Sequence, residues 1–105
     1  VRVKHKIDAK AFAAVTDVLA SLTSGEDMRQ FLKELLTPAE IRDITLRWRL
    51  LERLTEGVPQ RKIAEELKIS LCKITRGSKI LKQKGAVTAC VLKNRSENDE
   101  QRKRS

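Results

Sequence analysis

The sequence predicts an all-α protein of about six helices, two of which form a helix-turn-helix. Three observations predict it. Apolar residues recur at i, i+3, i+4 and i+7 through successive segments, the period of a helix with one buried face. Helix-start residues precede those segments, most plainly at Thr37-Pro38-Ala39-Glu40. Residues 60–82, QRKIAEELKISLCKITRGSKILK, divide into two short helical patterns around a tight turn at Lys68-Ile69-Ser70.

At 105 residues there is room for one domain. Phe12, Phe31 and Trp48 are the only aromatic residues, so a core must be built from Leu, Ile, Val and Ala. A small aliphatic core is marginal alone, and oligomerisation is a common remedy. The formal net charge of +9 points to an anionic partner, nucleic acid first and an acidic membrane second. No apolar run approaches the roughly 20 residues of a membrane span, and no secretory signal pattern opens the chain. These features predict a cytoplasmic protein. Cys72 and Cys90 lie 18 residues apart in helical sequence, form no metal-ligand pattern, and read as small reduced hydrophobes.

In chain order, residues 1–7 are basic and aperiodic and predict a flexible arm, with His5 solvated. A single domain follows over residues 8–92. Asp8 can cap a helix over residues 9–22, whose stripe is Ala11, Phe12, Val15, Val18, Leu19 and Leu22. Ala9, Ala13, Ala14 and Ala20 make much of its remaining circumference apolar, so it needs burial on more than one side, by its own chain or by a partner subunit. Thr23-Ser24-Gly25 breaks that helix, and Ser24 or Thr23 caps the next, over residues 25–36. Glu26 and Asp27 stand near its positive end, and Met28, Phe31, Leu32, Leu35 and Leu36 form its apolar face.

Thr37 is an N-cap, Pro38 a first-turn proline and Glu40 the third helical residue that completes a capping box. The long helix they start reaches about Thr55, with Ile41, Ile44, Trp48, Leu51 and Leu54/Thr55 as its stripe. Gly57 ends it. After the hairpin, Gly85 is a break, and residues 86–92 predict a short helix carrying Val87, Ala89, Cys90 and Val91. Residues 93–105 are almost purely polar and predict a disordered tail.

The hairpin, about residues 59–82, carries the functional signal. Ile63, Ala64 and Leu67 share one face of its first helix. Small Ala64 allows a close crossing, and Ile69 plugs the turn. Ser70 can cap the second helix, in which Leu71, Ile74, Gly77/Ser78 and Leu81 follow the inward spacing. Lys68 stands where this turn often has glycine, because a left-handed backbone is wanted there. Residues 60–84 hold eight Lys/Arg against two Glu. In a helix-turn-helix the second helix enters the DNA major groove, so pattern and charge together predict DNA binding over an ordinary helical hairpin.

Over about residues 31–82 the chain resembles the bacterial tryptophan repressor family. The most specific piece is Ile74-Thr75-Arg76-Gly77-Ser78 followed by Leu81-Lys82, behind Gln60-Arg61. Leu36-Thr37-Pro38 with Glu40, Arg47 and Gly57 also match. The link Gly57-Val58-Pro59-Gln60 is one residue shorter than in the most familiar members.

The resemblance implies an intertwined homodimer of interwoven helices. In it, L-tryptophan acts as corepressor and sets the helix-turn-helix heads to the spacing of operator DNA. No catalytic cofactor or metal is implied. Arg47 and Arg76 match the two arginines that sandwich the indole, a role suited to planar guanidinium groups, and Arg47 can also bind the carboxylate. Thr37 matches a carboxylate contact, and Gly77 the glycine that leaves room beside the ring. Backbone carbonyls around Glu34 and Leu36, at a negative helix end, would face the ammonium.

Ile80 stands where familiar members have a serine that helps hold that ammonium. Isoleucine cannot make the bond, worth roughly 0.5–1.5 kcal/mol. Three consequences are open: weaker tryptophan binding, preference for an indole compound without the amine, or repression without a corepressor.

For DNA, Ser70, Leu71 and Cys72 would present N-terminal amides to phosphate. Lys73 and Thr75 would lie near base edges, Thr75 by carry-over from the family. Arg61 and Lys79 would contact backbone or an edge, with Gln60 beside them and Lys82 on phosphate. Other classes are disfavoured. A ligand-independent DNA-binding module would show affinity unchanged by tryptophan. An RNA-binding interaction protein would want more aromatics for stacking. An enzyme would want a catalytic constellation, and none is present.

Overall fold

The structure, a computed structural model, describes residues 6–104, with side chains described to residue 102. His5 and most of the expected basic arm lie outside the described residues. All regular structure among the described residues is helical: α1 (Ala9–Ser21), α2 (Gly25–Leu35), α3 (Pro38–Thr55), α4 (Gln60–Leu67), α5 (Leu71–Lys82) and α6 (Val87–Arg104).

Contacts divide the chain into two compact units, Val1–Ile41 and Arg42–Ser105. The reason is visible in the first unit. Neither α1 nor α2 buries a single residue fully, and Phe12 is 64% exposed. Their starts are nonetheless well defined. The Asp8 carboxylate accepts the Ala11 N–H at 3.1 Å, and Ser24 Oγ accepts the Asp27 N–H at 3.3 Å. At the start of α3 the capping box closes in both directions: Thr37 Oγ1 accepts the Glu40 N–H at 3.2 Å, and Glu40 Oε1 accepts the Thr37 N–H at 2.9 Å.

The second unit holds the core. Leu50 of α3, Ile63 of α4 and Ile74 of α5 are buried together, with Leu54, Val58, Ala64, Leu67 and Ile69 packed against them. Two expectations are corrected here. The single α3 stripe through Ile44, Trp48 and Leu51 omitted Leu50, which is only 2% exposed. The helix has two apolar faces, one toward the hairpin through Leu50 and Leu54, the other toward α6 through Trp48 and Leu51. Leu71, expected to point inward, is half exposed, because it is the first residue of α5 and lies beyond the crossing with α4.

The end of α3 is a Schellman motif. The Val58 N–H donates to the Arg53 carbonyl and the Gly57 N–H to the Leu54 carbonyl, both at 3.1 Å, with Gly57 at φ 81°. Val58 then packs on the core. Arg53 ties α3 to α4: its Nε lies 3.3 Å from Glu66 Oε2, too poorly aligned for a hydrogen bond, and its NH1 donates to Glu56 Oε2 at 3.1 Å.

The expected short helix over residues 86–92 and disordered tail over residues 93–105 are replaced by one continuous helix, α6, reaching Arg104. Leu92 is its buried anchor, while Val87 and Val91 are exposed. Beyond Leu92 the helix has no apolar face. What favours it is local: Lys, Glu, Gln and Arg are good helix formers, and Lys93/Glu97 and Arg95/Asp99 have the attractive i, i+4 spacing. Low hydrophobicity predicts the absence of a core, but not the absence of a helix.

Candidate functional site

The helix-turn-helix is assembled as its sequence requires. Ile63 and Ile74, both fully buried, press α4 and α5 together across the small Ala64. Lys68 adopts the left-handed conformation, φ 53° and ψ 48°, that the turn demands. Ser70 is extended and its Oγ accepts the Lys73 N–H at 3.4 Å, starting α5. With Ile74 and Gly77 turned inward, Cys72, Lys73, Thr75, Arg76, Lys79 and Lys82 are left exposed on α5. Gln60 and Arg61 are exposed at the start of α4. The Thr75 hydroxyl donates to the Leu71 carbonyl at 2.9 Å, which leaves its lone pairs as acceptors. α5 itself carries no acidic residue, so its exposed face is a cationic surface with a few neutral hydrogen-bonding groups.

The inner side of α5 lines a cavity of about 190 Å³ against α3 and the turn. Arg47, Arg76, Gly77 and Ile80, four of the residues expected at a ligand site, line it together. Leu46, Leu50 and Ile69 supply further apolar wall. Two residues had no such role in the sequence reading: Lys73, expected only at base edges, and Asp43. Both were legible in principle. Asp43 lies one helical turn before Arg47, and Lys73 lies three residues before Arg76.

Gly77 is the close-approach point. A Cβ there would lie 3.2 Å from Leu50 Cδ2 and 3.3 Å from Leu54 Cδ1, so the missing side chain lets α5 sit against α3. The cavity is smaller than the roughly 300–1,000 Å³ of drug-sized sites and suits a ligand of amino-acid size.

Glu34, Leu36 and Thr37 belong to the first unit. There Glu34 Oε2 accepts from Gln30 Nε2 at 2.9 Å, the Leu36 N–H donates to the Leu32 carbonyl, and Thr37 caps α3. No helix among the described residues is long and apolar enough to cross a membrane. No group of three or more potential metal ligands gathers among them.

Three relatives frame these features. A protein of Vibrio campbellii named Trp operon repressor homolog is 31% identical over 81 residues, covering 76% of this chain and 81% of its own. One of the same name from Xylella fastidiosa is 36% identical over 70 residues, 66% of this chain and 76% of its own. A third, from Vibrio parahaemolyticus, is 29% identical over 90 residues, 85% and 87% of the two chains. No solved structure matches at a significant level. The profile of the Trp repressor protein family matches residues 10–96, a span that includes the helix-turn-helix and every cavity residue, and on that match the chain belongs to the Trp repressor family.

Proposed function

We propose that this chain is a DNA-binding transcriptional repressor that acts in the cytoplasm as a homodimer, with L-tryptophan as corepressor and an operator of tryptophan genes as target. The observation that carries the reading is the two-sided use of α5. Its outer side is the basic face of a helix-turn-helix. Its inner side, through Arg76, Gly77 and Ile80, is a wall of the cavity whose other wall is α3.

A ligand in that cavity touches the reading helix and its support at once. The indole would lie between the Arg47 and Arg76 guanidinium groups over the apolar floor, and the carboxylate would pair with Arg47. A ligand shifts an equilibrium only by its differential affinity for the states. Contacts on both walls provide that difference, because they are complete for one placement of α5 only. The unburied faces of α1 and α2 support dimerisation, since apolar helices of this kind need a cover.

Ile80 favours a second reading, a repressor that works without corepressor or with another indole compound, because an apolar side chain there offers the ammonium no hydrogen bond. Fluorescence anisotropy on duplex DNA from a tryptophan operator, with and without L-tryptophan, separates them. Affinity that rises with L-tryptophan supports the corepressor reading. Equal affinity in both conditions moves the assignment to the ligand-independent repressor. Absence of DNA binding under all conditions removes both.

A further inference from the structure

Asp43 is the single acidic side chain among the described residues of the α3–α5 cavity, and among its neighbours there Arg47, Lys73 and Arg76 are all cations. None of these four is in an ion pair with another described residue. The remaining wall, Leu46, Leu50, Ile69, Gly77 and Ile80, offers apolar surface. Among the described residues, Asp43 is therefore the only cavity side chain that can accept a hydrogen bond.

We propose that Asp43 binds the ligand's ammonium group and makes the cavity select an α-amino acid over the corresponding amine-free acid. This rests on the ligand-binding reading above. Asp43 and Arg47 stand four residues apart on one face of α3, about 6 Å along the axis. Together they present a negative and a positive group side by side at the cavity. A zwitterionic head group placed against them is opposed charge by charge, its ammonium on the Asp43 carboxylate and its carboxylate on the Arg47 guanidinium.

Without Asp43 an ammonium would enter a site holding three cations and no side-chain acceptor. Ile80 adds to the requirement, because it gives that end of the ligand only an apolar contact. The aromatic part then has the Leu46, Leu50 and Ile69 floor to itself.

The test is calorimetric titration of the full chain with L-tryptophan and with indole-3-propionate, which has the same ring and a carboxylate but no ammonium. Wild type, Asp43→Asn and Asp43→Ala are compared, with circular dichroism to confirm folding. Wild type is expected to bind L-tryptophan about tenfold or more tighter than the propionate, the worth of a charge-assisted hydrogen bond. Both variants should lose that preference through weaker tryptophan binding, with propionate affinity equal or higher. Variants that bind both ligands as wild type does, or that weaken both equally, overturn the role of Asp43 and leave the ligand site standing. A wild type that prefers the propionate also overturns it. If neither ligand binds wild type, the ligand reading fails and the Asp43 assignment with it.

Discussion

Gly77 brings α5 into close approach with Leu50 of α3. A Cβ at position 77 would lie 3.2 Å from Leu50 Cδ2, closer than ordinary van der Waals contact, and Leu50 is almost fully buried. Two effects oppose each other in Gly77→Ala. Alanine raises helix propensity by about 1 kcal/mol, whereas overpacking a close contact costs about 1–3 kcal/mol. Because Leu50 is held by Ile63 and Ile74, the overpacking term should win. The variant is expected to lose about 1 kcal/mol in urea denaturation and to bind cavity ligands more weakly. A gain in stability would show that Leu50 and Leu54 move aside freely.

Lys68 makes the opposite case. Its φ of 53° places a non-glycine residue in the left-handed region, with ordinary torsional cost. Lys68→Gly relieves that strain, and glycine's greater freedom in the unfolded chain returns part of the gain. A net stabilisation of about 0.5–1 kcal/mol is expected, seen as a higher denaturation midpoint at unchanged slope. Lower stability would mean that the lysine side chain contributes more than its backbone conformation costs.

These two positions show what could be read from residues alone. The left-handed demand at Lys68, the Ser70 cap and the Ile63/Ile74 pairing follow from local chemistry, and the hairpin boundaries came out within a residue or so of the structure. The arginine pair Arg47/Arg76 was legible only through the family resemblance, since two arginines 29 residues apart carry no period. The burial of Leu50 and the cavity position of Asp43, both on α3, were missed for a common reason. Each takes its role from which neighbour its helix faces, and α3 faces both the hairpin and α6. The polar end of α6 was missed because a helix held by local propensity leaves no hydrophobic period to read.

The capping box at the start of α3 predicts a pH dependence. Glu40 is held below its ordinary range, chiefly by the hydrogen bond its carboxylate accepts from the Thr37 N–H and then by the Thr37 side chain. A depressed carboxylate contributes stability that is present above the unfolded-state value and is lost as pH falls through the folded value. Wild type should therefore exceed Glu40→Ala in denaturant resistance at neutral pH. The gap should close as the solution is acidified below the usual glutamate range. A gap independent of pH would place the effect in helix propensity instead of the charged bond.

On the DNA side, Lys82 and Thr75 should fail differently. Lys82 ends α5 as an exposed cation, and a lysine on phosphate reads charge and not sequence. Lys82→Ala should weaken operator and unrelated duplexes alike. It should also lower the slope of log affinity against log salt by about 0.9, one phosphate contact. Thr75 projects from the middle of α5 with its proton already given to Leu71, so what it offers a base edge is an acceptor and a methyl group. Thr75→Ala should leave the salt slope unchanged and weaken binding at particular base pairs, by about 1–3 kcal/mol for the favoured base. Titrations across a salt series, repeated on single-base operator variants, measure both quantities. Equal and sequence-independent losses for the two substitutions would remove Thr75 from base reading and leave α5 as a purely electrostatic contact.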